Sequence, residues 1–330
     1  MPTNTLSPLR FSPIFKSALW GGSHLRKLFN SPPSDDPTGE AWVLSDQGDN
    51  PSVVADGPLA GTTLRDLLQS MPERILGSAS LVNGRFPLLL KFLQVRQPLS
   101  VQVHPNDAKA RELEGPLASG KTEAWYIVEA DPNASLYCGL NAGVTPVQVR
   151  RAIGANKLEQ LLNGLRPERG DCFLIPAGTV HALCDGLLVF EVQQTSDITY
   201  RLYDWGRVDP KTGKPRELHI EKGLACVNYS QGPCRPISPT EEGHGRVRLA
   251  PLAECAYFTL GRWDAASPFR VGETGQCRMI VGVEGRATLR HGGKEYGIGL
   301  GDTWLLPAEV GSCEVIPKGP VVILECGLGS

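Results

Sequence analysis

The sequence lacks the features that mark secreted, membrane-spanning and nucleic-acid-binding proteins. Its 33 lysines and arginines are balanced by 35 aspartates and glutamates, and a net charge of -2 gives no electrostatic reason to expect nucleic acid or an anionic membrane as partner. No apolar window is long enough to span a bilayer, and the first ten residues lack a cationic stretch followed by an apolar run. We therefore expect a cytoplasmic protein that acts on a small molecule.

Paired cysteines and extended helical periodicity are also scarce. The nine cysteines are an odd number without any Cys-x-x-Cys pair, which favours reduced thiols over a disulfide framework. Helical patterns are limited to residues 63–69, where Pro72 should end the helix, and to two short stretches between residues 147 and 162. In contrast, 37 glycines and 27 prolines punctuate short apolar runs, a pattern typical of many brief strands joined by turns. The sequence predicts a mainly β protein with helical insertions.

An internal repeat indicates two related domains. Residues 170–181 read GDCFLIPAGTVH and residues 301–312 read GDTWLLPAEVGS, with the same Gly-Asp and Pro-Ala positions. The second copy has Ser312 where the first has His181. At 330 residues the chain also exceeds the usual size of one hydrophobic core. The repeat predicts two related β-barrels, of which only the first holds a metal ion.

The predicted domains cover residues 1–240 and 241–330. Residues 231–245, rich in proline, glycine and charge, are the predicted linker. Short apolar runs of suitable length supply the strands. In the first barrel they lie at 86–93, 99–103, 124–128, 172–175 and 187–192, and in the second at 279–283, 287–290, 303–306 and 321–326.

Three segments of the first barrel carry candidate metal ligands. Gln102 and His104 are two residues apart on a predicted strand, a spacing that sends both side chains to one face. Glu123 opens the next strand, and His181 follows the Pro-x-Gly turn. A single strand histidine is more often a hydrogen-bonded core residue, so the prediction depends on the combination. Two imidazoles, a carboxylate and an amide oxygen suit one zinc ion, with manganese, iron, cobalt or nickel as alternatives.

Several motifs together resemble known families. The spacing Gly-x5-Pro-x-Gly-x2-His at residues 170–181 is similar to the second motif of the cupin superfamily. Gln-x-His followed by glutamate is similar to the first motif, with Gln102 in place of the usual first histidine. QVHP, KTEAWY and PAGTVH, together with residues 191–207, resemble type I mannose-6-phosphate isomerases of the short bacterial form. The likeness extends to WGG at 20–22, GEAW at 39–42 and Leu-His at 218–219, and so covers nearly the whole chain.

This resemblance implies two cupin-like, jelly-roll barrels with short helical insertions in the N-terminal half, and a C-terminal barrel without metal ligands. It implies interconversion of mannose 6-phosphate and fructose 6-phosphate, with Arg201 as a catalytic arginine and Lys121 as an active-site lysine. Thr122 departs from the proline that the family often has between this lysine and the glutamate, a change we expect to matter little. One zinc ion per chain would be held by Gln102, His104, Glu123 and His181.

The chemistry of an aldose–ketose isomerase assigns roles to these residues. A proton must leave the carbon beside the carbonyl, and negative charge then develops on oxygen. An open-sited metal ion polarises the carbonyl, and a guanidinium adds a fixed positive charge, a role that Arg201 fits. The alternative for Arg201 is a structural salt bridge with Asp197 or Asp204. Asp197 and Lys121 are the candidates for the group that moves the proton.

Lys91 is an isolated ammonium group in an apolar strand, where it needs water or a negative partner. It could recognise the sugar phosphate together with Ser100 and Lys121, or it could extend to solvent. Cys172 and Cys184, which flank His181 in the sequence, are predicted to be packing residues rather than ligands.

Two other functions are compatible with the fold. A cupin dioxygenase would need an oxidisable metal and two or three imidazoles, and the glutamine with only two suitable histidines argues against it. A non-catalytic, metal-stabilised sugar-binding protein would have no need of Arg201 and Lys121 near the metal. A phosphorylated sugar is the expected partner, and the chain is expected to be a monomer, with a dimer as the alternative.

Overall fold

A computed structural model describes residues 6–208, 212–243 and 245–329. Short strands dominate these residues, as the sequence predicts, and the helices are short. None of the helices in the described ranges has the length and apolar character needed to cross a lipid bilayer.

The elements are numbered along the chain. The strands that precede residue 210 are β1 Leu9–Arg10, β2 Ile14–Gly22, β3 Thr38–Leu44, β4 Asp46–Gln47, β5 Asn50–Pro51, β6 Leu88–Val95, β7 Val101–Val103, β8 Glu123–Ala130, β9 Leu136–Leu140, β10 Leu162–Leu165, β11 Cys172–Ile175, β12 His181–Leu183, β13 Leu187–Gln194 and β14 Tyr200–Tyr203. The later strands are β15 Val247–Glu254, β16 Phe258–Ala265, β17 Phe269–Val271, β18 Arg278–Glu284, β19 Ala287–His291, β20 Lys294–Ile298, β21 Thr303–Leu306, β22 Cys313–Pro317 and β23 Val321–Leu328. The helices are α1 His24–Leu28, α2 Leu64–Ser70, α3 Pro72–Leu76, α4 Asp107–Glu114, α5 Pro146–Gly154 and α6 Ile220–Cys226, with a 3₁₀ turn at Leu158–Leu161.

Two antiparallel sheets form the first sandwich, which carries the candidate site. One has the strand order β11-β8-β13-β6-β3-β2 and the other β10-β9-β12-β7-β14. Apolar side chains from both sheets share one buried cluster, including Leu93, Trp125 and Phe173 from the larger sheet and Leu136 and Leu183 from the smaller one. The two sheets therefore pack face to face as an open jelly-roll, which confirms the predicted fold class.

The second sandwich repeats this plan with sheets of order β1-β21-β18-β23-β16-β15 and β17-β22-β19-β20. Its edge strand β1 comes from the start of the chain, with Leu9 opposite Leu305. One apolar cluster contains Phe92 and Phe190 of the first sandwich together with Phe258 of the second. The two sandwiches therefore share buried apolar surface.

The sequence repeat corresponds to a structural repeat. Gly170 and Gly301 precede β11 and β21 with φ of 92° and 89°, a left-handed conformation that favours glycine. His181 begins β12 in the first copy, and Ser312 immediately precedes β22 in the second. The Ser312 hydroxyl accepts a hydrogen bond from Arg270 Nε at 3.0 Å.

Most predicted strands agree with the structure to within two residues, and the strands predicted at 172–175 and 303–306 have those bounds. The predicted helix at 63–69 is α2, whose N-terminus is capped by Thr63 and Asp66. The two short helices predicted between 147 and 162 are α5 and the 3₁₀ turn.

Helix α2 ends at Ser70, before Pro72, as predicted, but Pro72 also begins a further helix, α3, which the sequence pattern did not predict. Proline is favourable at the first helical position, where no backbone N–H is needed. The sequence pattern also missed α4, in which Ala110 is the only buried residue. A helix with so little buried surface has no apolar periodicity to detect. In the predicted linker, residues 231–241 form neither helix nor strand, and residue 244 lies outside the described residues.

Candidate metal centre and surrounding cavity

Strand register places three predicted site residues in one row on the smaller sheet of the first sandwich. His181 on β12 lies opposite Gln102 on β7, and Arg201 on β14 lies opposite the same glutamine. Directly opposed residues of antiparallel strands project from the same face of the sheet. His104 follows β7 and is two residues beyond Gln102, so it reaches the same region.

The larger sheet supplies the charged residues on the facing side. Glu123 is the first residue of β8. On the neighbouring strand β13, Glu191 lies opposite Lys91 on β6 and opposite Trp125 on β8. The Trp125 indole N–H donates to Glu191 Oε2 at 3.1 Å. The interior between the sheets therefore contains ion pairs as well as apolar side chains.

His104, Glu123 and His181 form a compact cluster. One ligand atom from each residue lies within 4.8 Å of the others, and all three residues are buried. His104 Nε2 lies 3.6 Å from Glu123 Oε2, and His181 Nε2 lies 3.4 Å from Glu123 Oε1. Glu123 Oε1 is buried and has no hydrogen-bond partner among the described residues. A metal ion bound between these atoms would satisfy that oxygen.

Both imidazoles are oriented by backbone carbonyls. His104 Nδ1 bonds to the carbonyl oxygen of Ile198 at 2.8 Å, and His181 Nδ1 bonds to that of Thr179 at 2.9 Å. Because a ring nitrogen must donate to a carbonyl, each Nε2 is left with a lone pair that faces Glu123. Metal-binding histidines have this arrangement, in which the outer nitrogen is held by a protein acceptor.

The protonation states also suit a cation site. Burial lowers the pKa of His181, and burial together with the Lys121 charge lowers the pKa of His104 well below its ordinary value. Burial opposes ionisation of Glu123, but the Lys121 ammonium outweighs it and holds the pKa of the carboxyl below its usual value. Two neutral imidazoles and one carboxylate are a donor set that fits a zinc-type divalent cation.

The amide of Gln102 completes the cluster. Its Nε2 lies 3.3 Å from His181 Nε2, and its Oε1 accepts from Ser100 Oγ at 3.4 Å. Rotating the amide by 180° exchanges oxygen and nitrogen with little change in shape. The side chain can therefore turn its oxygen towards the ion position.

Two buried lysines are tied to the carboxylates of this cavity. Lys121 Nζ lies 3.1 Å from His104 Nε2 and bonds to Glu123 Oε2. Lys91 is only 8% exposed, so it does not extend to solvent. Its Nζ lies 3.2 Å from Glu191 Oε1 and 3.3 Å from Glu40 Oε2. Burial opposes the charge of Lys91, but the two carboxylates outweigh it and raise the pKa of the ammonium above its ordinary value.

Among the described residues, Arg201 is held by a backbone carbonyl group rather than by an aspartate side chain. Its Nη1 donates to the carbonyl oxygen of Glu217 at 2.6 Å, while its Nε is buried without a hydrogen-bond partner in the described part of the chain. Asp204 instead pairs with Arg207 and Arg216, each at 2.5 Å. Burial and the neighbouring Arg216 charge lower the pKa of Arg201. An anion bound beside this guanidinium would therefore relieve an uncompensated positive charge.

Gln102, Glu123 and His181 of this cluster line one cavity, the inner cavity, with a volume of about 220 Å³, whereas His104 is not among its described lining residues. Asp197 lies at its rim and is exposed. Sequence reasoning missed the contributions of Glu40, Glu191 and Arg216, although Glu191 carries the same signal as Lys91, a single charge within an apolar strand. Among the predicted residues, those that line the inner cavity are Lys91, Ser100, Gln102, Lys121, Glu123, His181, Asp197 and Arg201.

The cysteines remain outside this cluster. Cys172 and Cys184 are buried, and burial raises the pKa of their thiols to about 12 and about 11. All nine cysteines carry free thiols. Cys172 belongs to the apolar cluster shared by the two sandwiches, as expected for a packing residue.

Comparison with known proteins gives one consistent family. Residues 9–132 match the family model for the catalytic domain of type I phosphomannose isomerase, and residues 250–324 match that for the mannose-6-phosphate isomerase cupin domain. The mannose-6-phosphate isomerase ManA of Bacillus subtilis is 38% identical over 308 residues, covering 93% of this chain and 95% of that protein. That of Streptococcus mutans is 33% identical over 92% of this chain and 94% of its own length.

Solved structures give the same result. The crystal structure of the Bacillus subtilis mannose 6-phosphate isomerase superposes with a TM-score of 0.88 at 33% identity, covering 97% of this chain and 99% of that one. A structure described as a putative mannosephosphate isomerase from Archaeoglobus fulgidus has a TM-score of 0.77 at 21% identity, covers 99% of this chain and 100% of that one, and supports the fold alone.

Proposed function

Because this chain belongs to the type I mannose-6-phosphate isomerase family, we propose that it interconverts mannose 6-phosphate and fructose 6-phosphate in the inner cavity, with one zinc ion per chain. The observation that carries the proposal is the convergence of two carbonyl-oriented imidazoles on a buried carboxylate whose Oε1 has no other partner in the described residues. A metal-free binding pocket would leave that oxygen unsatisfied.

The residues that would hold the zinc ion are His104, Glu123 and His181, with the amide oxygen of Gln102 as the fourth ligand. Four neutral or singly charged protein ligands leave room in the coordination sphere for a substrate oxygen. When bound, the ion polarises the sugar carbonyl and stabilises negative charge on its oxygen, an effect of several kcal/mol.

Arg201 supplies the fixed positive charge for the enediolate. It lies opposite Gln102 in the strand register, and its buried Nε, which has no partner in the described part of the chain, can donate to an oxyanion. A pre-oriented cation in a desolvated cavity stabilises developing charge without having to reorganise during the reaction. Arg216 lines the same cavity and is paired with Asp204.

Proton transfer between the two carbons requires a group that can hold and return a proton. Lys121 and Asp197 are the candidates, since both line the inner cavity. Lys121 has the more defined position, because it is fixed between His104, Glu123 and Glu191. Asp197 lies at the exposed rim.

The remaining polar side chains of the cavity recognise the sugar. Lys91 and Ser100 face the inner cavity and supply donors for hydroxyl groups or phosphate oxygens. Lys91 is preoriented for this role by its ion pairs with Glu40 and Glu191. The two neighbouring carboxylates offset the positive charge of Lys91, so Lys91 is better suited to recognising a hydroxyl group than a phosphate.

We assign catalysis to residues 1–240 and a structural role to residues 241–330. Strand β1 lies in the first of these ranges but pairs with β21 of the second sandwich. Ser312 in place of a histidine supports the absence of a second metal site. We further propose a cytoplasmic monomer, in agreement with the nine free thiols.

The direct test is a coupled assay of the purified protein on mannose 6-phosphate, before and after chelation, with glucose 6-phosphate as the competing substrate. The proposal requires turnover of mannose 6-phosphate that is lost with the metal and restored by adding zinc. Turnover that persists in the fully metal-depleted protein would contradict the metal assignment. A preference for glucose 6-phosphate would contradict the substrate assignment.

A further inference from the structure

The segment that carries Lys121 lies outside the strands and helices and is held by hydrogen bonds to both backbone and side-chain groups. The Lys121 amide donates to the carbonyl oxygen of Pro105 at 3.0 Å, and the Thr122 carbonyl oxygen accepts from the Gln194 amide at 3.1 Å. Residues 119–122 have no regular secondary structure. The amide of Gly120 donates to Asp107 Oδ1 at 2.7 Å, and the amide of Thr122 donates to Gln194 Oε1 at 2.9 Å. The peptide groups on both sides of Lys121 are therefore fixed by hydrogen bonds to other parts of the chain.

Asp107 connects these two contacts. Its Oδ1 also accepts from Gln194 Nε2 at 3.2 Å, so one carboxylate oxygen binds both Gly120 and the residue that holds Thr122. Its Oδ2 accepts from the hydroxyl of Tyr257 at 2.8 Å. Tyr257 lies between β15 and β16 in the second sandwich. A continuous set of hydrogen bonds thus leads from the second sandwich to the backbone around Lys121.

Close packing makes this segment sensitive to the position of Asp107. A Cβ atom on Gly120 would lie 2.6 Å from the backbone nitrogen of Asp107 and 2.6 Å from the carbonyl carbon of Asn106. The glycine therefore lies directly against the start of α4. A shift of Asp107 would move Gly120, and the Lys121 backbone with it.

We propose that Tyr257 and Asp107 are positioning residues for Lys121, so that the second sandwich contributes to catalysis through this set of hydrogen bonds. The proposal depends on the proposed role of Lys121 in the isomerase reaction. It gives the C-terminal sandwich a function beyond covering apolar surface, although that sandwich lacks the metal ligands.

The Tyr257 hydroxyl is suited to this role and can be removed without opening a void in the core. Burial and the hydrogen bond to Asp107 raise the pKa of Tyr257 to about 12, so the hydroxyl remains a donor near neutral pH. Tyr257 and Asp107 line a separate cavity of about 500 Å³ between the sandwiches. Replacement by phenylalanine therefore removes one hydrogen bond while the ring keeps its contacts.

The test compares Tyr257→Phe with Tyr296→Phe. The Tyr296 hydroxyl is buried in the second sandwich without a hydrogen-bond partner among the described residues, so its removal is a matched control. Tyr257→Phe should lower kcat for mannose 6-phosphate about three- to tenfold, the effect of one lost hydrogen bond, with KM and metal content unchanged. Hydrogen exchange of a peptide covering residues 118–123 should be faster in Tyr257→Phe and unchanged in Tyr296→Phe.

Asp107→Ala and the double variant with Tyr257→Phe provide the second measurement. Alanine removes both carboxylate oxygens, so Gly120, Gln194 and the Tyr257 hydroxyl all lose this acceptor. If the two residues act through one path, the double variant should lose little more kcat than Asp107→Ala alone. Multiplicative losses, or a loss of kcat that follows a loss of metal, would overturn the proposal.

An unchanged kcat in Tyr257→Phe, together with unchanged hydrogen exchange of the peptide covering residues 118–123, would also overturn the proposal. If the wild-type protein fails to convert mannose 6-phosphate, the proposed function fails. Hydrogen exchange would still report whether Tyr257 and Asp107 hold the segment, so the two failures are distinguishable.

Discussion

Arg201 lies directly opposite Gln102 on neighbouring antiparallel strands, and their side chains therefore leave the sheet on the same face. The 99 positions that separate these residues in the chain are reduced to one inter-strand distance by the pairing of β7 with β14. This register places the guanidinium of Arg201 beside the proposed metal ligands.

Replacing Arg201 should impair the chemical step selectively. We expect Arg201→Ala to lower kcat by about 10²–10³-fold, since it removes a donor aimed at the developing oxyanion. Arg201→Lys should recover only part of the activity, because an ammonium lacks the planar donor geometry of a guanidinium. Steady-state kinetics and metal analysis of both variants provide the measurement. An unchanged kcat, with metal bound, would remove Arg201 from the mechanism.

Each of the two proposed metal-binding histidines should be essential for stoichiometric zinc. His104→Ala and His181→Ala each remove one of three closely spaced ligands, and we expect less than one equivalent of metal after dialysis. Mass spectrometry of acid-digested protein measures the metal. Cys184→Ala, a change at a nearby buried thiol outside the cluster, should retain one equivalent. A full equivalent in the histidine variants would contradict the ligand assignment.

Removing the Lys91 ammonium should destabilise the fold. Lys91→Met leaves Glu191 and Glu40 without a major partner in a buried environment, and breaking a buried pair in this way costs about 3–5 kcal/mol. Denaturant unfolding of the metal-depleted proteins measures the difference. Lys109→Met breaks an exposed pair with Glu112 and should change stability little. Equal decreases in the free energy of unfolding for Lys91→Met and Lys109→Met would show that burial does not determine how strongly the loss of an ion pair destabilises the protein.

The ion pair between Glu309 and Arg74 should make stability depend on acidic pH. The hydrogen bond from Arg74 lowers the pKa of Glu309 to about 2, below the ordinary value of 4.5. A carboxyl with a depressed folded-state pKa stabilises the protein above its unfolded-state pKa, and this contribution is lost as the pH falls towards 2. The advantage of the wild type over Glu309→Gln should therefore be present at pH 6 and decrease between pH 4.5 and 2.

Denaturant unfolding with a chelator present measures this difference without a contribution from metal release. Glu295→Gln is a suitable control at another exposed carboxylate, paired with Arg290. A constant difference between wild type and Glu309→Gln across this pH range would contradict the assignment of the shift to Glu309.

The fold class and the clustering of His104, Glu123 and His181 could be predicted because their signals are local. Short apolar runs between glycines and prolines predict strands, and the two-residue spacing of Gln102 and His104 predicts a shared face. The repeat identified His181 as the candidate ligand of the first copy and Ser312 as the residue that replaces it in the second copy. Helix α4 was missed because its single buried residue leaves no periodic pattern.

The partners of the buried charges could not be predicted. Lys91 needs a carboxylate or water, but only the pairing of β6 with β13 brings Glu191 opposite it. In the same way, Arg201 Nε has no hydrogen-bond partner among the described residues because Asp204 pairs with Arg207 and Arg216 instead. These contacts involve distant stretches of the chain, and local patterns carry no information on which of several possible partners is chosen.

The amino-acid sequence by itself determined the strand-rich architecture, the two related halves and the residue types of the His104, Glu123 and His181 cluster, because backbone alternation and turn chemistry act over a few residues. Only the tertiary structure decided which charges neutralise one another, which donor remains free for an anion, and how Tyr257 reaches the backbone beside Lys121. Strand register and the contact between the two sandwiches set those distances, and both result from packing the whole chain.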